Sequence, residues 1–252
     1  MDLIPCYVVN LDSDKKKWED TTSTLSSLGI KHERFPAVYG KKLSPEYIKE
    51  ITHASVYYNQ INGRSLDQQV PTLGAIGCYL SHVGIWQKLV ESDSDMCLVF
   101  EDDLAKTSSL KEVEDFVDTV PKGWDFIYLG YYKPLPSDGY DIRKDNYYKV
   151  KGMTYMTHSY LVSKQGATKL LKSALPIFCQ IDSHISFLAA RGDIEAYRPI
   201  KSMFNQNLVT SLSSNCQERL PPIKILLTRF SNTTIVYTMI VIILLLIFRK
   251  KY

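Results

Sequence analysis

The sequence predicts an α/β fold built on a mostly parallel sheet. Short apolar, β-branched runs alternate along the chain with longer segments whose apolar residues recur every three or four positions, as expected for strands followed by helices. The composition is that of a globular protein, with 252 residues of which 45% are hydrophobic and 23% are charged. These values exclude a disordered chain, a collagen-like fibre and a small disulfide scaffold.

The first predicted elements are a strand, a helix and a second strand. The run at 4–10 is rich in β-branched and aromatic residues, and a polar helix over 14–28 is stopped by Gly29. A second strand is predicted at 31–35. The dipeptide Ser44-Pro45 is typical of a helix N-terminus, because proline suits the first helical position.

The middle of the chain predicts a buried helix followed by a buried strand. Apolar residues recur at three- and four-residue steps over 72–92, which predicts a helix with one buried face. The run at 96–100 is continuously apolar, as expected for a strand covered on both faces. A helix at 110–119 and a strand at 126–129 follow.

The last elements repeat the alternation of strand and helix. A strand at 159–162 leads into a helix at 164–171. Asp182 is expected to cap a helix that runs to Ala190, with Gly192 as its C-cap. A final strand is predicted at 194–197.

The charge of the chain is concentrated at its C-terminus. The net charge of +3 comes from 30 Lys and Arg against 27 Asp and Glu, and Arg249, Lys250 and Lys251 account for all of the surplus. The rest of the chain is neutral, so charge gives no reason to expect nucleic acid as a partner.

An apolar segment precedes that basic tail. No charged residue occurs from Phe230 to Phe248, a stretch that spans roughly 28 Å as a helix. We expect a single membrane anchor; a core helix or a hydrophobic tail is the alternative. The expected organisation is an α/β domain of the size of an enzyme domain at 1–204, a linker at 205–230, a transmembrane anchor at 231–248 and a basic tail at 249–252.

The expected location of the body follows from two opposing signals. No signal peptide is visible at the N-terminus, which favours a cytosolic body. The positive-inside tendency would instead keep the basic tail in the cytosol. We expect the body in the cytosol. An odd number of widely spaced cysteines agrees with this compartment, since it favours free buried thiols over disulfides or metal ligation; these are Cys6, Cys78, Cys97, Cys179 and Cys216.

The strongest local signal for chemistry is the acid triplet Glu101, Asp102 and Asp103, directly after an apolar strand. Adjacent carboxylates repel one another unless a cation or hydrogen-bond donors offset their charge. Mg²⁺ and Mn²⁺ bind carboxylates together with phosphate oxygens. In an extended chain Glu101 and Asp103 point to one side, which predicts that this pair holds a metal against a diphosphate. A solvated acidic turn is the alternative.

Two weaker signals accompany the triplet. Gly74 and Gly77, at the start of a predicted helix, allow close approach of backbone or ligand, but their spacing matches neither the Walker loop nor the dinucleotide fingerprint. Ser81 and His82 follow in the middle of that helix, where a single histidine is more often structural than catalytic. Asp182 by itself indicates a helix cap more strongly than a catalytic base.

Several short motifs occur once each, in a fixed order, over most of 4–200. They are Val8–Asp12, Arg34–Val38, Gly40, Gly77–His82 with Ile85-Trp86, Val99–Leu104, Trp124–Gly130, Tyr160–Ala167 with Leu170-Leu171, Asp182 and Pro199. Together they resemble glycosyltransferase family 25, which contains lipooligosaccharide galactosyltransferases of bacteria and procollagen galactosyltransferases. Any one motif is weak, whereas the ordered set is fairly specific.

The resemblance implies a type A glycosyltransferase fold, a UDP-sugar donor and Mn²⁺ or Mg²⁺. It implies that Glu101 and Asp103 hold the metal, and that Asp182 is the base that deprotonates the acceptor hydroxyl in an inverting transfer. The residues expected to bind the nucleotide sugar are Val9, Asn10, Leu11, Lys17, Ala37, Val38, Gly77, Ser81, His82 and Asp102. Galactose is the expected sugar, and a glycan, lipid or protein hydroxyl is the expected acceptor.

The sequence also departs from the family pattern. Lys17 stands in place of an arginine, which keeps the charge but loses the bidentate fork. Tyr39 and Ala75 replace residues that are often acidic. No histidine follows His184, so a late histidine ligand is lacking and water or the diphosphate would complete the metal shell. A relative that binds without turnover and a metal-dependent nucleotidyl- or phosphoryltransferase are the alternatives.

Overall fold

The computed structural model describes residues 4–56, 72–106, 108–132 and 141–207. The helices within this part are α1 (Lys15–Ser27), α2 (Pro45–Ile51), α3 (Leu73–Glu91), α4 (Leu110–Thr119), α5 (Lys164–Leu171) and α6 (Ile181–Arg191). The strands are β1 (Cys6–Asn10), β2 (Glu33–Pro36), β3 (Met96–Glu101), β4 (Leu104–Lys106), β5 (Phe126–Tyr132), β6 (Ile142–Arg143), β7 (Tyr147–Lys149), β8 (Tyr155–Ser163), β9 (Ala196–Pro199) and β10 (Asn205–Gln206).

One mixed sheet organises these elements. Its strand order is β2-β1-β3-β8-β5-β9-β7-β6. β1 pairs in parallel with β2 and β3, and β5 pairs in parallel with β9. β8 is antiparallel to both of its neighbours, and β7 is antiparallel to β9 and β6. Most strands of this sheet therefore share one direction, which confirms the prediction of a mostly parallel α/β sheet, with β8 and β7 as the reversed strands.

The reversal of β8 determines what lies beside the acid triplet. Phe100 near the end of β3 pairs with Ser159 in β8. Because the two strands are antiparallel, the first residues of β8 lie beside the last residues of β3. The strand predicted at 159–162 in fact begins at Tyr155. Its four additional N-terminal residues, 155–158, therefore approach the carboxyl end of β3.

Hydrophobic layers cover both faces of the sheet. Successive residues of a strand point to opposite faces, so Val9 and Val99 pack with α3, α5 and α6, whereas Val8 and Leu98 pack with α1 and α4. Trp86 of α3 is fully buried in the first layer. The continuous apolar run of β3 is thus explained by burial on both sides, as the sequence predicted.

Side-chain caps fix several helix ends. Ser44 accepts a hydrogen bond from the amide of Tyr47, and Ser109 forms a capping box at the start of α4. Gly192 closes α6 with a φ of 84°, as predicted. The N-cap of α6 is Gln180, so the prediction that Asp182 caps this helix is wrong; Asp182 lies in its first turn.

The first residues of the predicted linker form part of a short two-stranded ribbon. Asn205 and Gln206 form β10 and pair antiparallel with β4. The amide of Asn207 donates to the carbonyl oxygen of Asp103 at 2.7 Å. Residues 205–207 therefore pack against the folded body and lie next to the acid triplet.

The described cysteines are free thiols, as predicted. Cys6, Cys78, Cys97 and Cys179 form no disulfide, and Cys216 lies outside the described residues. Burial raises the pKa of Cys97 to about 12, and burial together with the charge of Asp182 does the same for Cys179. Both groups stay protonated at neutral pH.

The expected transmembrane anchor at 231–248 and the basic tail lie outside the described residues. Among the residues that the structure does describe, no helix combines the length and apolar character needed to span a membrane.

Candidate functional site

A cleft opens at the carboxyl ends of β1 and β3, where an open α/β sheet binds its ligands. Its volume is about 560 Å³ when the space open to solvent is included. Its lining residues are Val9, Asn10, Leu11, Asp14, Lys17, Ala37, Val38, Tyr39, Gly40, Gly74, Cys78, Ser81, Glu101 and Asp102. The cleft therefore brings together most of the residues predicted to bind a nucleotide sugar; Gly77 and His82 are not among its lining.

One side of the cleft, which we call the loop wall, consists of 37–40 and the first turns of α3 through Ser81. A Cβ atom on Gly77 would lie 2.4 Å from the carbonyl oxygen of Val38, so only glycine allows the helix to approach the loop this closely. The Ser81 hydroxyl accepts from the Val38 amide at 2.8 Å and donates to the Gly77 carbonyl at 2.8 Å. Gly77 and Ser81 thus set the shape of this wall.

Asn10 connects the end of β1 to the acid triplet. Its side-chain amide donates to Asp102 Oδ2 at 2.6 Å, and its Oδ1 accepts from Arg34 Nε at 2.8 Å. Arg34 also donates to the Asn10 carbonyl at 3.0 Å. Lys17 Nζ lies 3.9 Å from Asp102 Oδ1 and 3.8 Å from Asp14 Oδ2. Lys17 therefore supplies positive charge at the position where the family often has arginine.

A cluster of acids at and behind the cleft surface, which we call the acidic wall, consists of 101–103 and Asp182; Glu101 and Asp102 line the cleft. β3 ends at Glu101 and the chain bends at Asp102, so the alternation expected for an extended chain does not continue through the triplet. Glu101 and Asp102 both line the cleft, whereas Asp103 is buried and accepts from Gln206 Nε2 at 3.4 Å. The predicted pair Glu101 and Asp103 is therefore not presented on one side by strand geometry.

The charge of the triplet is only partly compensated. Burial raises the pKa of Asp102 to about 6, although Asn10 and Lys17 act in the opposite direction. Burial and repulsion from Glu101 raise the pKa of Asp103 to about 7. Burial also tends to raise the pKa of Glu101, but contacts with His82 and Thr157 outweigh it, so the net shift is downward. A bound cation would favour the ionised form of all three groups.

Asp182 lies close enough to interact with the triplet but is not among the lining residues of the cleft. Its Oδ2 accepts from the Met156 amide at 3.1 Å, and its Oδ1 accepts from the Ser183 amide at 2.7 Å. Burial raises the pKa of Asp182, and repulsion from Glu101 adds to the shift. Met156 adopts a φ of 77°, which is uncommon for a residue with a side chain. The backbone of β8 is thus held in an unusual conformation where it contacts Asp182.

His82 is buried beside the acidic wall. Its Nδ1 lies 2.9 Å from the Tyr160 hydroxyl, which also accepts from Trp86 Nε1 at 3.2 Å. Its Nε2 lies 3.4 Å from Glu101 Oε1. The ligand atoms of Cys78, His82 and Glu101 all lie within 4.8 Å of one another, which makes these three residues a possible metal-binding cluster.

Sequence reasoning missed several residues of this site. Thr157 donates to Glu101 Oε1 at 2.8 Å, while Met156 and Gln206 contact Asp182 and Asp103 respectively. These contacts depend on the reversed direction of β8 and on the pairing of β10, for which the sequence carries no local signal. Cys78 could have been found, because it lies four residues before His82 and therefore on the same helix face.

Comparisons with known proteins agree on one family. Residues 3–185 match the family model described as glycosyltransferase family 25 (LPS biosynthesis protein). A glycosyltransferase 25 family member of Aedes aegypti is 30% identical over 207 residues, which cover 81% of this chain and 33% of that protein. Procollagen galactosyltransferase 1-A of Xenopus laevis is 31% identical over 181 residues, 66% of this chain and 28% of that protein.

A third similar protein carries a different description. The probable inactive glycosyltransferase 25 family member 3 of Bos taurus is 28% identical over 173 residues, which cover 66% of this chain and 28% of that protein. The chain thus spans about a third or less of the length of these three relatives.

Proposed function

The chain belongs to glycosyltransferase family 25, and on that premise we propose that it transfers a hexose, with galactose as the first candidate, from a UDP-sugar to a hydroxyl group of a glycan, lipid or protein. The observation that carries the proposal is the cleft itself. Its lining unites residues from five separate stretches of the sequence, namely the end of β1, α1, the loop after β2, α3 and the acid triplet.

The loop wall is suited to a nucleotide base. Ala37 and Val38 supply apolar surface, and the backbone there is held by Ser81 and by the close contact at Gly77. The Ala37 amide already donates to the Asn10 carbonyl at 3.0 Å. A wall whose backbone is fixed before the ligand arrives binds without a further loss of conformational entropy.

The acidic wall fits a divalent cation. The triplet offers carboxylate oxygens, which Mn²⁺ and Mg²⁺ prefer, and its buried acids have raised pKa values that a cation would reverse. Glu101 and Asp103 are the proposed ligands, and Asp102, which lines the cleft next to Lys17, would contact the donor. A cation bound there would supply electrostatic stabilisation of the negative charge that develops on the UDP leaving group.

Asp182 is the proposed general base of an inverting transfer. Its raised pKa brings a carboxyl group closer to the pH at which it must accept the acceptor's proton. Two backbone amides hold its oxygens in place, so its carboxylate is oriented independently of substrate. In this role Asp182 removes the hydroxyl proton while the acceptor oxygen bonds to the anomeric carbon and the bond to UDP breaks.

A direct assay tests the proposal. The full-length chain, incubated with a panel of UDP-sugars, Mn²⁺ and an acceptor mixture, should release UDP, fastest with UDP-galactose. Absence of UDP release from every common UDP-sugar, in a sample shown by circular dichroism to be folded, would contradict it.

A relative that binds donor without turnover is the second candidate. Two observations favour it: the replacement of the family's arginine by Lys17, and the similarity to a protein described as probably inactive. UDP-dependent thermal stabilisation of the protein without any UDP release from UDP-sugars would support this candidate over the enzyme.

A further inference from the structure

We propose that Cys78, His82 and Glu101 form a second cation site, which shares Glu101 with the donor-side cation and takes a thiophilic divalent ion such as Zn²⁺ through one sulfur, one nitrogen and one oxygen. The proposal goes beyond the transferase function, which needs only carboxylate ligands for its cation. It rests on the geometry of these three side chains and does not depend on turnover.

The three ligands come from two rigid elements. Cys78 and His82 are four residues apart on α3, so their side chains share one helix face. Glu101 is the last residue of β3, and β3 and α3 belong to the same buried layer. A thiolate, an imidazole and a carboxylate are the ligands that Zn²⁺ takes in proteins.

The spacing matches a tetrahedral site. His82 Nε2 and Glu101 Oε1 lie 3.4 Å apart. Two ligands at about 2.0–2.1 Å from a tetrahedral ion are separated by about 3.4 Å. Cys78 Sγ lies within 4.8 Å of both atoms, which places a third ligand next to the pair.

An unsatisfied buried atom points into this cluster. His82 is 0% exposed, and its Nε2 has no hydrogen-bond partner among the residues that the structure describes. A buried polar atom without a partner is costly, and native proteins rarely leave one unless it has a task. Glu101 Oε1 lies 3.4 Å from Nε2, and an ion bound between the two would contact both.

The opposite side of the imidazole has a fixed hydrogen-bond partner, which either tautomer can use. Tyr160 contacts Nδ1, and its hydroxyl oxygen can accept from both His82 and Trp86 because it carries two lone pairs. With the proton on Nδ1, Nε2 presents a lone pair to the ion. A fixed partner on the second ring nitrogen is typical of histidine ligands.

The site opens toward the cleft. Cys78 and Glu101 both line it, so a fourth coordination position is available to water or to an oxygen of a bound ligand. Glu101 is also the proposed ligand of the donor-side cation. Because one carboxylate is shared, Zn²⁺ at this site should compete with Mn²⁺ and weaken Mn²⁺-supported binding of UDP.

Cobalt provides the test, because a thiolate bound to Co²⁺ gives a charge-transfer band in the near ultraviolet. The full-length chain, reduced and stripped of metal with a chelator, is titrated with Co²⁺. The expected result is a thiolate band that saturates at one equivalent and is abolished by Zn²⁺. The Cys78→Ser variant should lose the band, whereas Cys6→Ser, a buried cysteine outside the cluster, should keep it.

Glu101→Gln supplies a second readout. In this variant the Co²⁺ affinity should fall by about tenfold or more, whereas the thiolate band should be retained. The proposal is overturned if the wild-type chain gives no thiolate band, or if the band survives in Cys78→Ser. Its failure is distinct from failure of the transferase: the first leaves UDP release intact, and the second leaves the cobalt band intact.

Discussion

The loop wall and the acidic wall differ in whether their polar groups are already paired in the absence of a ligand. On the loop wall the Val38 amide donates a hydrogen bond to the Ser81 hydroxyl, and this hydroxyl donates to the Gly77 carbonyl oxygen. On the acidic wall Asp102 and Asp103 carry raised pKa values, and His82 Nε2 lacks a hydrogen bond among the described residues. The polar groups named on the loop wall are hydrogen-bonded without a ligand. The acids of the acidic wall need added positive charge before all of them can be ionised at neutral pH.

This difference indicates how binding energy is divided between the walls. A preformed apolar wall contributes shape, and its ligand preference should be insensitive to metal and pH. A wall of repelling carboxylates contributes little by itself, and its effect on the donor should depend on the cation and on pH.

Substitution of Asp182 should have the largest effect on turnover. In Asp182→Asn the side chain keeps its shape but cannot accept a proton, so kcat should fall by about 10²–10⁴-fold. The KM for the donor should change little, because Asp182 is not a lining residue of the cleft. Steady-state kinetics checks both values, and Asp193→Asn, an exposed acid beyond α6, is the control. An equal rise in KM would contradict this role.

Asp103→Asn should separate activity from stability. Loss of a charged group on the acidic wall should lower kcat/KM by about 10²–10³-fold. The same change removes a buried carboxylate that repels Glu101, so the melting temperature without metal should rise. Calorimetry and UDP-release assays measure the two effects, with the exposed Asp118→Asn as the matched control. A fall in both quantities would indicate that Asp103 is structural only.

On the loop wall, Gly77→Ala should cost about 1–3 kcal/mol, because the new Cβ meets backbone atoms of Val38 and Gly40. The displaced loop should also bind UDP more weakly, with or without Mn²⁺. Gly84→Ala on the same helix is the control, since its Cβ meets only the end of the Phe35 ring at 3.0 Å. Chemical denaturation and UDP titration distinguish the two variants, and equal behaviour would disprove the role assigned to Gly77.

The smallest effect concerns pH. The pKa of Asp103 is raised to about 7 in the native state, so the native chain holds a proton that the unfolded chain has already lost above about pH 4. Stability of the metal-free protein should therefore fall as pH rises from about 4 to 7, by on the order of 1–3 kcal/mol, and then level off. Urea denaturation of wild type and Asp103→Asn isolates this contribution, which should be absent from the variant.

The sequence predicted most of the loop wall and less of the acidic wall, for a physical reason. The elements of the loop wall follow one another with parallel strands, so local patterns and the family motifs are enough to group Ala37, Val38 and Ser81, which line one cleft. The acidic wall depends on β8, whose reversed direction brings Met156 and Thr157 to the acids. Strand-helix alternation predicts parallel pairing and gives no sign of that reversal.

The position of the acid triplet could be predicted from the sequence, but the directions of its side chains could not. Its position after a buried strand was predictable from the apolar run of β3. Its side-chain directions were not, because they depend on the end of β3 at Glu101 and on the pairing of β10 with β4. The predicted N-cap of α6 likewise differs by two residues from the observed one, since Gln180 and not Asp182 caps this helix.

The most direct test of the central claim is a calorimetric titration of UDP into the full-length chain, with and without Mn²⁺. If the acidic wall requires a cation, Mn²⁺ should strengthen UDP binding by tenfold or more in the wild type and have no effect in Asp103→Asn. Equal UDP affinity with and without Mn²⁺ in the wild-type protein would contradict the account.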